Sequence, residues 1–183
     1  MIFCDAENEE CDVIWLDEYY PIRNWSRMTP KARRFSETVL EFKDGSQAMR
    51  LRFAAEIDLL LGSGFTVTVV PPHAITYRPN GEVIQEMALI GSWLAAVPGQ
   101  SRSDGTSCLV RHTPVPKKSF GGERDLAMEL STVKVERPHL IAGREVLLLD
   151  DVYTSGVSSE ACCRLLMEAG ALRVKTLVLG RTI

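Results

Sequence analysis

Along this chain the spacing of apolar residues switches repeatedly between a period of two and a period near 3.6, and each switch predicts an element. Val13–Tyr19 reads as extended, an irregular polar segment follows, and Glu37–Phe42 alternates as a strand does. In Ser46–Leu61 the residues Met49, Phe53, Ile57 and Leu60 recur at helical spacing, and Gly62 and Gly64 stop that helix. Phe65–Val70 is β-branched and mostly apolar, as a central strand is, and Pro71-Pro72 ends it. Glu82–Ala96 is the next helix, with Val83, Met87, Ile90 and Leu94 on one face and Pro98-Gly99 closing it. Ser107–Arg111 is a short strand. Thr113–Asp125 holds Pro114, Pro116, Gly121 and Gly122 without any period, which predicts a mobile loop.

The last third is the plainest. Thr132–Val135 reads as a strand and Gly143 as a turn. Glu145–Leu149 is apolar on both faces, as in a sheet covered on both sides. Ser158–Ala169 is a helix with Cys162, Leu165, Leu166 and Ala169 inward and Gly170 at its C-cap, and Val174–Leu179 is another buried strand. Strands alternating with helices at this spacing predict an α/β fold with a doubly wound parallel sheet.

Composition changes this picture little. The 183 residues are 45% hydrophobic and 25% charged, the balance of one soluble globular domain. No apolar run approaches the ~18 residues of a membrane span, and no basic-then-apolar leader is present, so the expectation is a cytoplasmic protein. Five cysteines include no CxxC pair; Cys4 and Cys11 supply two thiolates where a structural zinc site needs four ligands. The net charge of −3 hides an asymmetry: residues 1–18 hold seven acids and no Lys or Arg. Residues 19–36 hold Arg23, Arg27, Lys31, Arg33 and Arg34 with no acid, and Trp15, Tyr19, Tyr20 and Trp25 cluster beside them. Such a block suits phosphates or a stacked base, and equally a solvated surface with aromatics packed on a sheet edge.

Chemistry concentrates in Val146–Ser158, the run VLLLDDVYTSGVS. A buried strand delivers Asp150 and Asp151 to its carboxyl end, where open α/β sheets bind ligands. The turn Val152, Tyr153, Thr154, Ser155, Gly156 follows, and a helix begins at Val157 and Ser158. Backbone N–H groups, three hydroxyls and a helix N-terminus then converge, an arrangement that suits a phosphate dianion. Two carboxylates beside a phosphate make sense when the ligand also carries hydroxyls or a divalent cation, and a ribose diol with Mg²⁺ supplies both. Asp-Asp then Thr-Ser-Gly is also ordinary turn chemistry, so the weight lies on the complete order of the run.

That run closely resembles the signature of type I phosphoribosyltransferases, which bind 5-phosphoribosyl-1-pyrophosphate (PRPP). Leu109–Arg111, Glu123-Arg124-Asp125, Ala142–Glu145 and Glu168–Ala171 extend the likeness toward the ComF (competence protein F, amidophosphoribosyltransferase-like) branch. It reaches back to Val69–Pro72, Arg78–Gly81 and Gln85, covering roughly residues 40–181. The resemblance implies a core of residues 37–183 with an N-terminal, strand-containing cap or hood at 1–36. It implies that Asp150 and Asp151 hold the ribose hydroxyls and that Tyr153–Ser158 encloses the 5-phosphate. It further implies that Pro72, His73 and Ala74, with Arg78, face pyrophosphate, and that Lys117, Lys118 and Arg124 neutralise it as it leaves. Mg²⁺ would come with PRPP, and self-association as a homodimer is expected.

Two departures qualify the likeness. The four-cysteine zinc module usual in ComF-like proteins is absent or degraded, since only Cys4 and Cys11 lie near the start. Thr154 stands where purine phosphoribosyltransferases that use a carboxylate base place an aspartate. Three readings follow: an enzyme moving phosphoribosyl to a nucleobase or amine, an accessory protein sensing PRPP or binding single-stranded DNA, and an α/β protein binding another nucleotide.

Overall fold

The computed structural model describes residues 12–22, 28–73, 85–115 and 125–183. In chain order the elements are β1 (Asp12–Tyr19), α1 (Pro30–Lys43), α2 (Gln47–Asp58), β2 (Thr66–Val69), α3 (Glu86–Ala95), β3 (Ser103–Asp104) and β4 (Leu109–Arg111). They continue with α4 (Leu126–Thr132), β5 (Val133–Val135), a 3₁₀ turn at Pro138–Leu140, β6 (Glu145–Tyr153), α5 (Val157–Glu168) and β7 (Arg173–Thr182). Five strands pair in the order β1-β7-β6-β2-β3, parallel throughout, while β4 and β5 form a separate antiparallel pair. This is the α/β arrangement expected from the alternation of strands and helices, and its N-terminal strand is present at the sheet edge.

Side chains alternate across a strand, so a strand buried on both faces feeds two cores. On β6, Leu147 and Leu149 join the core under α1, α2 and α3, with Phe42, Phe53, Ile57 and Ile90. Val146 and Leu148 join the opposite core under α5, with Cys162, Cys163, Leu166 and Ile141. β2 runs beside β6 only from Thr66↔Val146 to Val69↔Leu149. It stops there because Pro71 and Pro72 have no N–H to extend the ladder. β6, β7 and β1 continue past that point, through Tyr153↔Arg181 and Tyr19↔Thr182. The shortfall of β2 opens a notch at the carboxyl edge of the sheet.

Close approach fixes one glycine on the far side of β2. A Cβ on Gly105 would lie 2.6 Å from Thr66 Cγ2 and 3.1 Å from the Val67 carbonyl oxygen. Its absence lets the Gly105 N–H donate to the Val67 carbonyl at 2.8 Å and its own carbonyl accept from Thr68 Oγ1 at 2.9 Å.

Glu37–Phe42 is helical, not a strand: it is the second half of α1. Thr29 caps α1 through Oγ1, which accepts from the Ala32 N–H at 3.3 Å, and Pro30 opens the first turn. Phe35, Val39 and Phe42 recur at helical spacing and pack on the core. The strand-like alternation arose because Ser36 and Thr38 are buried as well. Their hydroxyls donate back to the carbonyls of Ala32 and Arg34, at 3.0 and 2.8 Å, which satisfies them inside a helix. Residue 36 therefore lies within α1, and β1 belongs to the same sheet as the core strands. Thr132 ends α4 and the strand begins one residue later, at Val133; α4 itself is capped by Asp125, whose Oδ1 accepts from the Met128 N–H at 2.7 Å.

Leu148 is wholly buried in the core under α5. Leu148→Ala is expected to lower the unfolding free energy by about 2–5 kcal/mol, read from urea or thermal denaturation.

Candidate functional site

The notch beyond β2 is a cleft of about 800 Å³, bordered by the carboxyl ends of β1, β2, β6 and β7 and by the first turns of α3 and α5. Asp150, Asp151, Val152, Tyr153, Thr154, Gly156 and Ser158 line it from one side, and Pro72 and His73 from another. Ser155 and Val157 complete the loop behind them. The expected donor-site residues that fall within the described segments thus gather at one place. Ala74, Arg78, Lys117, Lys118 and Arg124 lie outside the described residues, as do Cys4 and Cys11.

The loop is built for close backbone approach. Gly156 has φ +76°, in the left-handed region, and precedes α5 without a side-chain cap. A Cβ there would lie 2.2 Å from the Tyr153 hydroxyl oxygen, so the tyrosine packs where any other residue would put its side chain. The amides of the first turn of α5 have no acceptor within the helix, and the helix dipole adds positive potential at the same end. The Thr154 hydroxyl sits 2.9 Å from the Thr182 hydroxyl at the end of β7.

Alternation carries the two aspartates to opposite faces of the sheet. Asp150 points toward α5, where Oδ2 accepts from Ser159 Oγ at 3.4 Å and Oδ1 from the Asp151 N–H at 2.8 Å. Asp151 points toward α1, where its Oδ2 meets Lys43 Nζ at 2.9 Å and its Oδ1 accepts from the Val152 N–H at 2.6 Å. Lys43 also lies 5.7 Å from the centre of the Tyr19 ring. Burial pulls the Lys43 ammonium down, but the Asp151 carboxylate, with help from Tyr19 and Asp150, outweighs it and holds the pKa above the ordinary lysine value.

Tyr19, from the aromatic cluster read as suiting a stacked base or a sheet edge, lines the cleft. Three further residues were not legible as site residues. Lys43 lines the cleft, as does Glu86, a buried carboxylate opening α3 that faces Arg50 Nε at 3.2 Å. Glu129, wholly buried on α4, accepts from Ser158 Oγ at 2.9 Å and pairs with Arg111 at 2.7 Å. Lys43 is visible only once α1 is known to be a helix ending at the cleft. Glu129 had one available signal, its place in the short segment capped by Asp125.

The cysteines in the described segments, Cys108, Cys162 and Cys163, are buried free thiols. Burial pushes the Cys162 thiol far up, reinforced by Asp150, and pushes Cys108 up as well. Among the described residues no cluster of three or more His, Cys, Asp or Glu could hold a metal by itself. No helix among them is long and apolar enough to cross a membrane. Asp150 and Asp151, on opposite faces and already engaged, fit a hard cation that arrives with most of its own ligands, as Mg²⁺ on a diphosphate does.

No curated protein sequence matches the chain. Among solved structures, one titled "Structure of the allosteric regulatory enzyme of purine biosynthesis" is similar at 17% identity over 70% of this chain, with a TM-score of 0.43. The chain spans about a quarter of that structure, 25% of its length. The phosphoribosyl transferase domain family matches residues 48–181, from α2 through β7, with the cleft loop inside the match and β1 and α1 before it. The chain belongs to the phosphoribosyl transferase domain family.

Proposed function

We propose that the cleft binds PRPP with magnesium and that the protein transfers the phosphoribosyl group to a nitrogen nucleophile, releasing pyrophosphate. One observation carries the reading: within the family-matched region, two acids end a buried strand and a left-handed glycine opens a helix on the same cleft. Asp150 and Asp151 accept the ribose hydroxyls, and Val152–Ser158 wraps the 5-phosphate with backbone amides and the α5 N-terminus. The Pro72–Ala74 segment with Arg78 faces pyrophosphate, and Lys117, Lys118 and Arg124 offset the charge that builds on it as the C1–O bond breaks. Asp150 and Asp151 would sit beside a magnesium ion carried in by PRPP, which when bound would supply positive charge to offset that of the diphosphate. We assign the protein to the ComF branch without a complete zinc module.

Thr154 favours a second reading, in which PRPP is sensed and not consumed. Its hydroxyl meets Thr182 at a position where a carboxylate base would be needed for a purine acceptor. Single-stranded DNA has less support, because Arg33 pairs with Glu37 at 2.8 Å and Arg181 covers the Trp15 ring at 4.6 Å.

Calorimetry with PRPP, with and without Mg²⁺ and against AMP and GMP, tests binding; pyrophosphate release with ammonia, amines and bases tests transfer. Asp150→Asn and Asp151→Asn are each expected to weaken PRPP binding by roughly 10–100-fold, since each removes a charged acceptor. Preferred binding of AMP or GMP, or undiminished PRPP binding in both variants, rules the donor site out. PRPP binding without pyrophosphate release across all acceptors selects the sensing reading.

Gly156→Ala should abolish PRPP binding while the fold is retained by circular dichroism, because its backbone angle and Tyr153 both oppose a Cβ.

The Lys43–Asp151 pair has a defined pH signature. A raised lysine pKa contributes stability that is fully present below the unfolded value of about 10.4 and is lost as pH rises through the higher folded value. The stability difference between wild type and Lys43→Met should therefore stay flat from about pH 6 to 9 and shrink only in stronger alkali. Denaturation midpoints across that range check it, and a difference that fades near neutrality contradicts the pairing.

A further inference from the structure

One wall of the cleft comes from outside the family-matched region. Lys43 ends α1 and Tyr19 ends β1, and both elements precede the match at residues 48–181. Both side chains line the cleft together with Asp151. The Lys43 ammonium meets Asp151 Oδ2 at 2.9 Å and is part-exposed there. Its charge also lies 5.7 Å from the centre of the Tyr19 ring.

A hydroxyl both donates and accepts, whereas an ionised carboxylate only accepts. An aspartate alone therefore takes the proton of a ribose hydroxyl and leaves the lone pairs of that oxygen to water. An ammonium carries several N–H donors and no acceptor. One donor of Lys43 reaches Asp151, which leaves donor capacity for a ligand in the cleft. Asp151 engages Lys43 through Oδ2 and the Val152 N–H through Oδ1 at 2.6 Å, and an ionised carboxylate keeps lone pairs for a further donor. The pair can thus accept the proton of a hydroxyl and donate to the same oxygen.

Resting on the phosphoribosyl reading of the cleft, we infer that Lys43 contacts the substrate, donating to the oxygen of the ribose hydroxyl whose proton Asp151 accepts. The contact makes Lys43 a specificity-determining residue, because a sugar lacking that hydroxyl forfeits both hydrogen bonds. Side-chain parity confines the effect to one hydroxyl. Asp150 points to the opposite face, toward Ser159 on α5, so the hydroxyl it holds is approached from the side away from α1. The elements that precede the family-matched region thereby add a group to the donor site.

Calorimetry on the full chain, without added metal, compares ribose 5-phosphate with its 2-deoxy and 3-deoxy analogues. Wild type is expected to bind each analogue about tenfold or more weakly than ribose 5-phosphate. In Lys43→Met the preference over one analogue should fall to about threefold or less, while the preference over the other stands. Asp151→Asn should erode the preference over that same analogue, and Asp150→Asn the preference over the other. Lys43→Arg, which keeps the charge and the donors, should retain most of both. If Lys43→Met weakens all three ligands equally, the ammonium acts only through its field on the shared phosphate and the contact is wrong. Unchanged preferences overturn it too, as does tighter binding of ribose 5-phosphate, which would mark the lysine as a competitor for Asp151. Any of these results leaves the phosphoribosyl reading intact, whereas a wild-type protein that binds none of the three ligands ends that reading and the contact with it.

Discussion

The side-chain parity of β6 is the constraint on which the rest of this structure depends. Because the strand is covered on both faces, Val146 and Leu148 must enter one core while Leu147 and Leu149 enter the other. A slip of one residue would exchange the two sets and leave neither helical layer its partners. The same parity continues past the end of β2 and sends Asp150 toward α5 and Asp151 toward α1. The two acids are adjacent in the chain yet meet different neighbours, one a serine hydroxyl and the other an ammonium. A site that reads as a pair of equivalent carboxylates is therefore chemically asymmetric.

Two ion pairs flank the cleft, and their settings give them different weights. Lys43–Asp151 is about a third exposed on both sides, 34% and 36%, so water screens it and its contribution to folding is modest. Its importance lies in keeping a cation beside an acid at the cleft wall. Arg111–Glu129 is sealed from water, where loss of one partner strands the other charge. Such a pair adds little net stability, yet removing one partner is costly. The part-exposed ammonium lies at the cleft, and the buried guanidinium stands behind it.

The legible part of the protein was the part whose information is local. Apolar period identified α2 and α5 and the strands β2, β6 and β7, because each buries a face at its own repeat. The cleft loop was readable for the same reason, since Asp150 through Ser158 is contiguous and each residue type has a reason to sit where it does. α1 was misread because buried Ser36 and Thr38 blur its apolar face; their bonds to carbonyls four residues back let a helix bury them, and the Thr29 cap with Phe35, Val39 and Phe42 at helical spacing marks the helix. α4 has seven residues and β3 two, too few for any period to register.

The sequence by itself determined most of the order of strands and helices, the position of the cleft loop and the strand that delivers it. Tertiary structure alone decided which side chains meet there. Lys43 reaches Asp151 because α1 ends at the sheet edge, and Glu129 reaches Ser158 across 29 residues because α4 packs on α5. Pairings of this kind depend on where separate elements stop and how they stack, and those distances are set by the packing of two cores, not by any spacing along the chain.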